Sequence, residues 1–169
     1  NDICITDSAI FIIGSFTDSV DFDPGPGDET RTTPGYESCR FLCRFSSDGT
    51  FEWVRTWELW HFYEIAVAPD GNIYIAGQFD EEFDFDPDPL ETDILSPVAD
   101  RDAFVLCMNS EGDYHWTRHW GWAYGADLAC DSVGNVYITG YFTETVDFNP
   151  GDGVDEHESN GEQDIFLSK

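Results

Sequence analysis

The chain has 169 residues, with seven Lys and Arg against thirty-five Asp and Glu, a formal net charge of −28. Such a surface repels phosphate backbones and anionic membranes, which argues against nucleic acid and lipid surfaces as partners. Six Trp, seven Tyr and fourteen Phe supply a folded core, so the acidity does not signal disorder. No apolar run approaches the length that spans a bilayer, which argues against membrane insertion. No signal-peptide pattern opens the chain; Asn1 falls inside a repeat, so that carries no information about secretion.

In chain order, the first feature to recur is a short phrase. It reads Asp21-Phe22-Asp23-Pro24, then Asp84-Phe85-Asp86-Pro87, then Asp147-Phe148-Asn149-Pro150, at intervals of 63 residues. The same offset relates Ile12-Ile13-Gly14 to Ile75-Ala76-Gly77 and Ile138-Thr139-Gly140. It also relates Phe41 to Phe104, Gly49 to Gly112, and Trp53 and Trp57 to Trp116 and Trp120. A fixed period of this kind marks a tandem array. Only near the end does it slip by one, between Asp102 and Asp164.

Each unit has the pattern of short strands. An apolar run, Ile65–Ala68, precedes a Gly-Asn turn and the β-branched, aromatic stretch Asn72–Phe79. Ala103–Asn109 reads as a buried strand ending at a Ser-Glu-Gly turn, and Tyr114–Trp120 as an alternating one. Four strands per unit and no helix predict an all-β fold: a β-propeller fragment of four-stranded antiparallel blades with a 63-residue repeat. The units run 1–62, 63–125 and 126–169, about 2.7 blades, from within one first strand (Asp2 to Thr6) to a third strand (Ile165 to Ser168). Propellers close with roughly 4–8 blades, so the expected partners are remaining blades or other chains that complete a ring.

The phrases Gly71-Asn72-Ile73-Tyr74-Ile75-Ala76-Gly77 and Gly134-Asn135-Val136-Tyr137-Ile138-Thr139-Gly140 are each followed by Asp-Phe-Asp/Asn-Pro. With the closing Asp164-Ile165-Phe166-Leu167-Ser168-Lys169, they resemble the bacterial β-propeller repeat family of large secreted and surface proteins, related in style to NHL-type propellers. The first unit departs from the pattern, with Ser8-Ala9 in place of Gly-Asn. The resemblance implies a propeller fold and an extracellular or cell-surface setting, and no particular catalytic activity.

Chemistry centres on the repeated phrase. Segments 18–29, 80–93 and 144–164 hold twenty-one of the thirty-five acids and no Lys or Arg. On an extended backbone Asp21 and Asp23 share one face while Phe22 turns to the other. The following glycines would bring Asp28 into reach. The second copy offers Asp84, Asp86, Asp88 and Glu91, and the third Asp147, Asn149 and Asp152. Clustered hard oxygens on a turning backbone suit calcium as a cofactor. The rival reading is a solvated acidic turn anchored by its Phe and Pro, and Asn149 is the built-in control between them.

The remaining side chains fit structural roles. Trp53, Trp57, Trp116 and Trp120 recur in register, as inter-blade packing requires, while Trp60 and Trp122 fall in the connections and are the better placed for ligand contact. Cys4 and Cys130 share one strand position; Cys39 and Cys43 are four apart on a strand, too far to bridge. All five cysteines read as free thiols. No Ser-His nucleophile pattern or phosphate loop appears, so catalysis has no positive signal. The function implied is a secreted or surface binding and structural module, its partner a protein or glycan. The alternatives are a polysaccharide-acting enzyme with its site at the ring axis, or a purely architectural repeat.

Overall fold

The computed structural model describes residues 1–33, 35, 38–58, 61–149 and 151–169, with Ala126 described by its backbone alone. Trp60 and the third phrase's Pro150 lie outside the described residues. No helix is long and apolar enough to cross a membrane among them.

The fold is all-β. Strands β1 (Asp2–Ile5), β2 (Ala9–Phe16), β5 (Cys39–Ser46) and β6 (Phe51–Trp57) form one antiparallel meander. The second comprises β7 (His61–Val67), β8 (Ile73–Phe79), β11 (Asp102–Met108) and β12 (Tyr114–Gly121). A third sheet pairs β13 (Ala123–Cys130), β14 (Val136–Phe142) and β17 (Asp164–Ser168), with β17 at the edge. These are the four-stranded antiparallel blades of a β-propeller fragment, the third sheet holding three strands. Tight turns carry glycine where the chain needs positive φ: Gly71 at +90° between β7 and β8, Gly112 at +78° between β11 and β12.

Between the second and third strands of every sheet the chain leaves on a small two-stranded ribbon. The ribbons are β3 (Ser19–Asp21) with β4 (Thr30–Thr32), β9 (Phe83–Asp84) with β10 (Ile94–Leu95), and β15 (Thr145–Asp147) with β16 (Glu156–Glu158). In each, the repeated phrase begins at the end of the outgoing strand.

The core lies between the sheets rather than within one. Phe11, Ile13 and Leu42 of the first sheet pack with Ile65, Ile73, Ile75, Phe104 and Leu106 of the second. Tyr74, Ala76, Ala103 and Val105 on the second sheet's other face pack with Leu128, Ile138, Phe142 and Phe166 of the third. Having neighbours on both faces, β8 and β11 are buried at every residue. Strand β7 starts earlier than its apolar run because the ladder slips between Phe62 and Glu64, a bulge that β13 repeats between Gly125 and Asp127.

Candidate functional site: the acidic turns at the blade junctions

Each phrase closes its ribbon with the same two hydrogen bonds. Asp21 Oδ1 accepts the backbone N–H of Asp23 (3.0 Å) and of Glu29 (2.9 Å). Asp84 Oδ1 accepts from Asp86 (3.2 Å) and Asp93 (2.8 Å), and Asp147 Oδ1 from Asn149 (2.9 Å) and Asp155 (2.8 Å). One carboxylate oxygen thus ties both ends of the loop, and the other stays outside these bonds. The backbone N–H groups of Asp155 and Asn149 hold the Asp147 carboxyl below the usual carboxylate range.

The third residue of the phrase makes a smaller turn of its own. Asp23 Oδ1 accepts from Gly25 N–H (2.8 Å), Asp86 Oδ1 from Asp88 (2.9 Å), and Asn149 Oδ1 from Gly151 (2.9 Å). Only an acceptor oxygen is needed, so asparagine serves as well as aspartate. Gly27 and Gly153 let that side chain fold back over the loop, since a Cβ at either would strike it. Asp21 and Asp23 thus bond to separate backbone amides of the loop, and the chain bends after them, over residues 25–27. Asp28 bonds to Thr30 (N–H 3.2 Å, hydroxyl 2.5 Å), Asp88 accepts from Leu90 N–H (2.9 Å), and Asp152 is exposed. Among the described residues, no three His, Cys, Asp or Glu side chains are grouped so as to hold a metal.

The phrase's aromatic is the pivot of a repeated triad. Phe85, fully buried, meets Phe79 (ring centroids 5.1 Å) and Phe104 (5.0 Å) edge to face. Phe22 meets Phe16 (5.2 Å) and Phe41 (4.9 Å), and Phe148 meets Phe142 (5.2 Å) and Phe166 (5.0 Å). The same residue joins the sheets through its backbone. Trp57 of the first sheet donates its indole N–H to the Phe85 carbonyl (3.1 Å), and Trp120 of the second donates to the Phe148 carbonyl (3.3 Å). Residue 28 places on from each tryptophan, the acidic turn is the joint between one blade and the next.

At its other end the first junction is clamped by arginines. Arg44 donates to the Ser110 carbonyl (2.9 Å) and pairs with Glu52 (2.8 Å) and Glu111 (3.2 Å). Arg55 donates to the carbonyls of Gly112 (3.1 Å) and Glu111 (3.0 Å). Trp122 packs partly buried against the second core, its backbone bonded to Arg101 and Thr143. None of the five cysteines is in a disulfide. Burial pushes the thiol of Cys43 up to about 12, and those of Cys107 and Cys130 to about 11.

Two groups escaped the sequence reading. His61 stacks on Tyr63 (5.7 Å) beside Arg40 (3.4 Å), and the Tyr63 hydroxyl donates to Gln78 (2.8 Å), all at positions the other units fill differently. Glu64 faces Asp2 of the first sheet and Asp127 of the third. Burial, then the Asp2 charge and hydrogen bond, then Asp127 raise its carboxyl above the usual value, and the N-terminal amine partly offsets them. A carboxyl raised in the fold contributes stability below its unfolded value, and that contribution is lost as pH rises through the folded value. Glu64→Gln is therefore expected to raise the melting midpoint at neutral pH and to flatten its fall between mildly acidic and neutral pH. A midpoint lowered equally at every pH would contradict this.

No family model and no curated protein matches the chain.

Proposed function

We propose that the chain is a structural and binding module of a β-propeller ring, displayed outside the cell or on its surface, whose remaining blades come from further repeats or other chains. The observation that carries this is the junction itself. Two successive junctions are built alike, and the outer faces of the array repeat their surfaces without a neighbour. Ile73, Ile75, Phe104 and Met108 are fully buried, whereas their equivalents Ile10, Ile12, Phe41 and Phe45 in the first sheet are only half-buried. Ala103 and Val105 are buried, whereas Ile165 and Leu167 are 88% and 72% exposed. Apolar faces of this kind mark interaction surfaces. Sedimentation velocity of the 169-residue chain is expected to show association. A stable, non-aggregating monomer would overturn the proposal.

Calcium in the acidic turns is the second reading. It is favoured by twenty-one acids in three segments with no Lys or Arg, and by the carboxylate oxygens that the loop amides leave over. Asp21 with Asp23, Asp84 with Asp86, and Asp147 with Asn149 would supply them, the last pair with one charge fewer. Calcium at a hundredfold over its Kd is expected to add about 2.7 kcal/mol per site. A midpoint unchanged between calcium and chelator at low salt removes calcium and leaves the amide-closed turns. An enzyme of polysaccharides remains the alternative to the binding module, and the His61–Tyr63–Gln78 group is where substitutions would test it.

A further inference from the structure

The first junction contains a seat that the chain builds twice and fills once. Trp53 and Arg55, two apart on β6, hold the turn between β11 and β12. The Arg55 guanidinium lies over the Trp53 ring (5.1 Å) and donates to two consecutive carbonyls, those of Glu111 and Gly112. Gly112 rests on that ring so closely that a Cβ would lie 3.1 Å from it, at a φ of +78° that itself favours glycine. One repeat later Trp116 and Arg118 stand in the same pose on β12, the guanidinium 5.4 Å over the ring. Even the local bond recurs: Arg55 donates to the Val54 carbonyl (3.3 Å), and Arg118 to that of Thr117 (3.0 Å). Arg55 is half-buried under its turn, whereas Arg118 is exposed. The seat continues an interface already made, because Trp120 on the same strand is bonded to the acidic turn of the third unit at Phe148.

A second observation points to the same occupant. In the second sheet β12 covers the edge of β11, and two of its side chains fill the space beneath the ribbon. Tyr114 bonds to Asp93, while His119 bonds to Asp102 (2.6 Å) and meets Phe79 edge to face (5.4 Å). In the third sheet the matching strand, β17, is an edge. Beside it lies an open cleft of about 550 Å³ lined by Asp155, Asp164, Phe142 and Phe148. These occupy the places of Asp93, Asp102, Phe79 and Phe85 in their ribbons and strands.

We propose that β17, Trp116 and Arg118 form a strand-addition site for a β-hairpin arm of the kind formed by residues 107–121. Its strand lies antiparallel along β17, its tyrosine and histidine reach Asp155 and Asp164, and its glycine turn seats on Trp116 with two carbonyls on Arg118. Main-chain pairing supplies the attachment and the seat fixes the register. The proposal rests on the ring reading above and names the chemistry of the piece that joins this face.

The test uses a fluorescently labelled synthetic peptide of residues 107–121 added to the 169-residue chain, with binding followed by anisotropy. Binding is expected, with slowed amide exchange along β17. Arg118→Ala in the chain, or Gly112→Val in the peptide, is expected to weaken it by about tenfold or more, since each removes the turn's anchoring. Arg118 is exposed, so its substitution leaves the fold intact. Binding that ignores both substitutions overturns the seat and leaves the ring reading standing. No binding at about millimolar peptide overturns both.

Discussion

Trp57→Ala is expected to destabilise the protein by about 4 kcal/mol, read by urea denaturation. The side chain is buried, meets Phe62 edge to face at 5.2 Å, and gives its indole N–H to the Phe85 carbonyl. Truncation empties the space between the first two blades and leaves a buried carbonyl without its donor. Trp57→Phe separates the two effects, since it keeps most of the ring and loses only the N–H, for about 1–2 kcal/mol. With the joint weakened, the alanine variant is also expected to unfold in two steps, because the first blade has lost its lock to the second. A single transition within about 1 kcal/mol of the parent would contradict this role.

Asp102→Ala is expected to cost about 3–5 kcal/mol in the same measurement. Asp102 opens β11 and is completely buried. Its oxygens accept the backbone N–H of Val98 (2.9 Å) and Ala99 (3.1 Å) and bond to His119 Nδ1 (2.6 Å). Removing the carboxylate takes the shared acceptor away from two loop amides and an imidazole and leaves a fully buried position empty at the start of β11. Asp164 begins β17 in the same way, accepting Asn160 N–H (2.8 Å). The return from the second and third ribbons is thus sealed by the first side chain of the next long strand. A double-mutant cycle with His119→Ala isolates the part owed to the imidazole contact.

The long strands were legible because a 63-residue repeat lets each copy check the others. Ile73–Phe79, Asp102–Met108 and Tyr114–Gly121 fall within a residue of where alternation and turn glycines place them. The ribbons were not legible, since strands of two or three residues carry no period to detect, and the phrase Asp-Phe-Asp-Pro reads as a bend. Within the site, the buried Phe was readable and the bonding was not. An aspartate pair in sequence looks like a shared cation site. Only the fold shows Asp21 accepting from Glu29, eight residues on, and Asp84 from Asp93, nine residues on. The recurrence of Trp57 and Trp120 announced packing between blades, but not that each indole is aimed at the carbonyl of the phrase's own Phe. The seat on Trp116 and Arg118 is visible only by comparison with its filled counterpart.

The acidic phrase is the joint between blades, and the indole protons of Trp57 and Trp120 report on that joint directly. Hydrogen exchange of the tryptophan indoles, followed by NMR with each signal assigned by substitution to Phe, measures it. The prediction is that Trp57 and Trp120 exchange slowly and together, while Trp116, whose ring lies under exposed Arg118, exchanges fast. Trp57 and Trp120 exchanging as fast as Trp116 would show that the indole–carbonyl joints are not made.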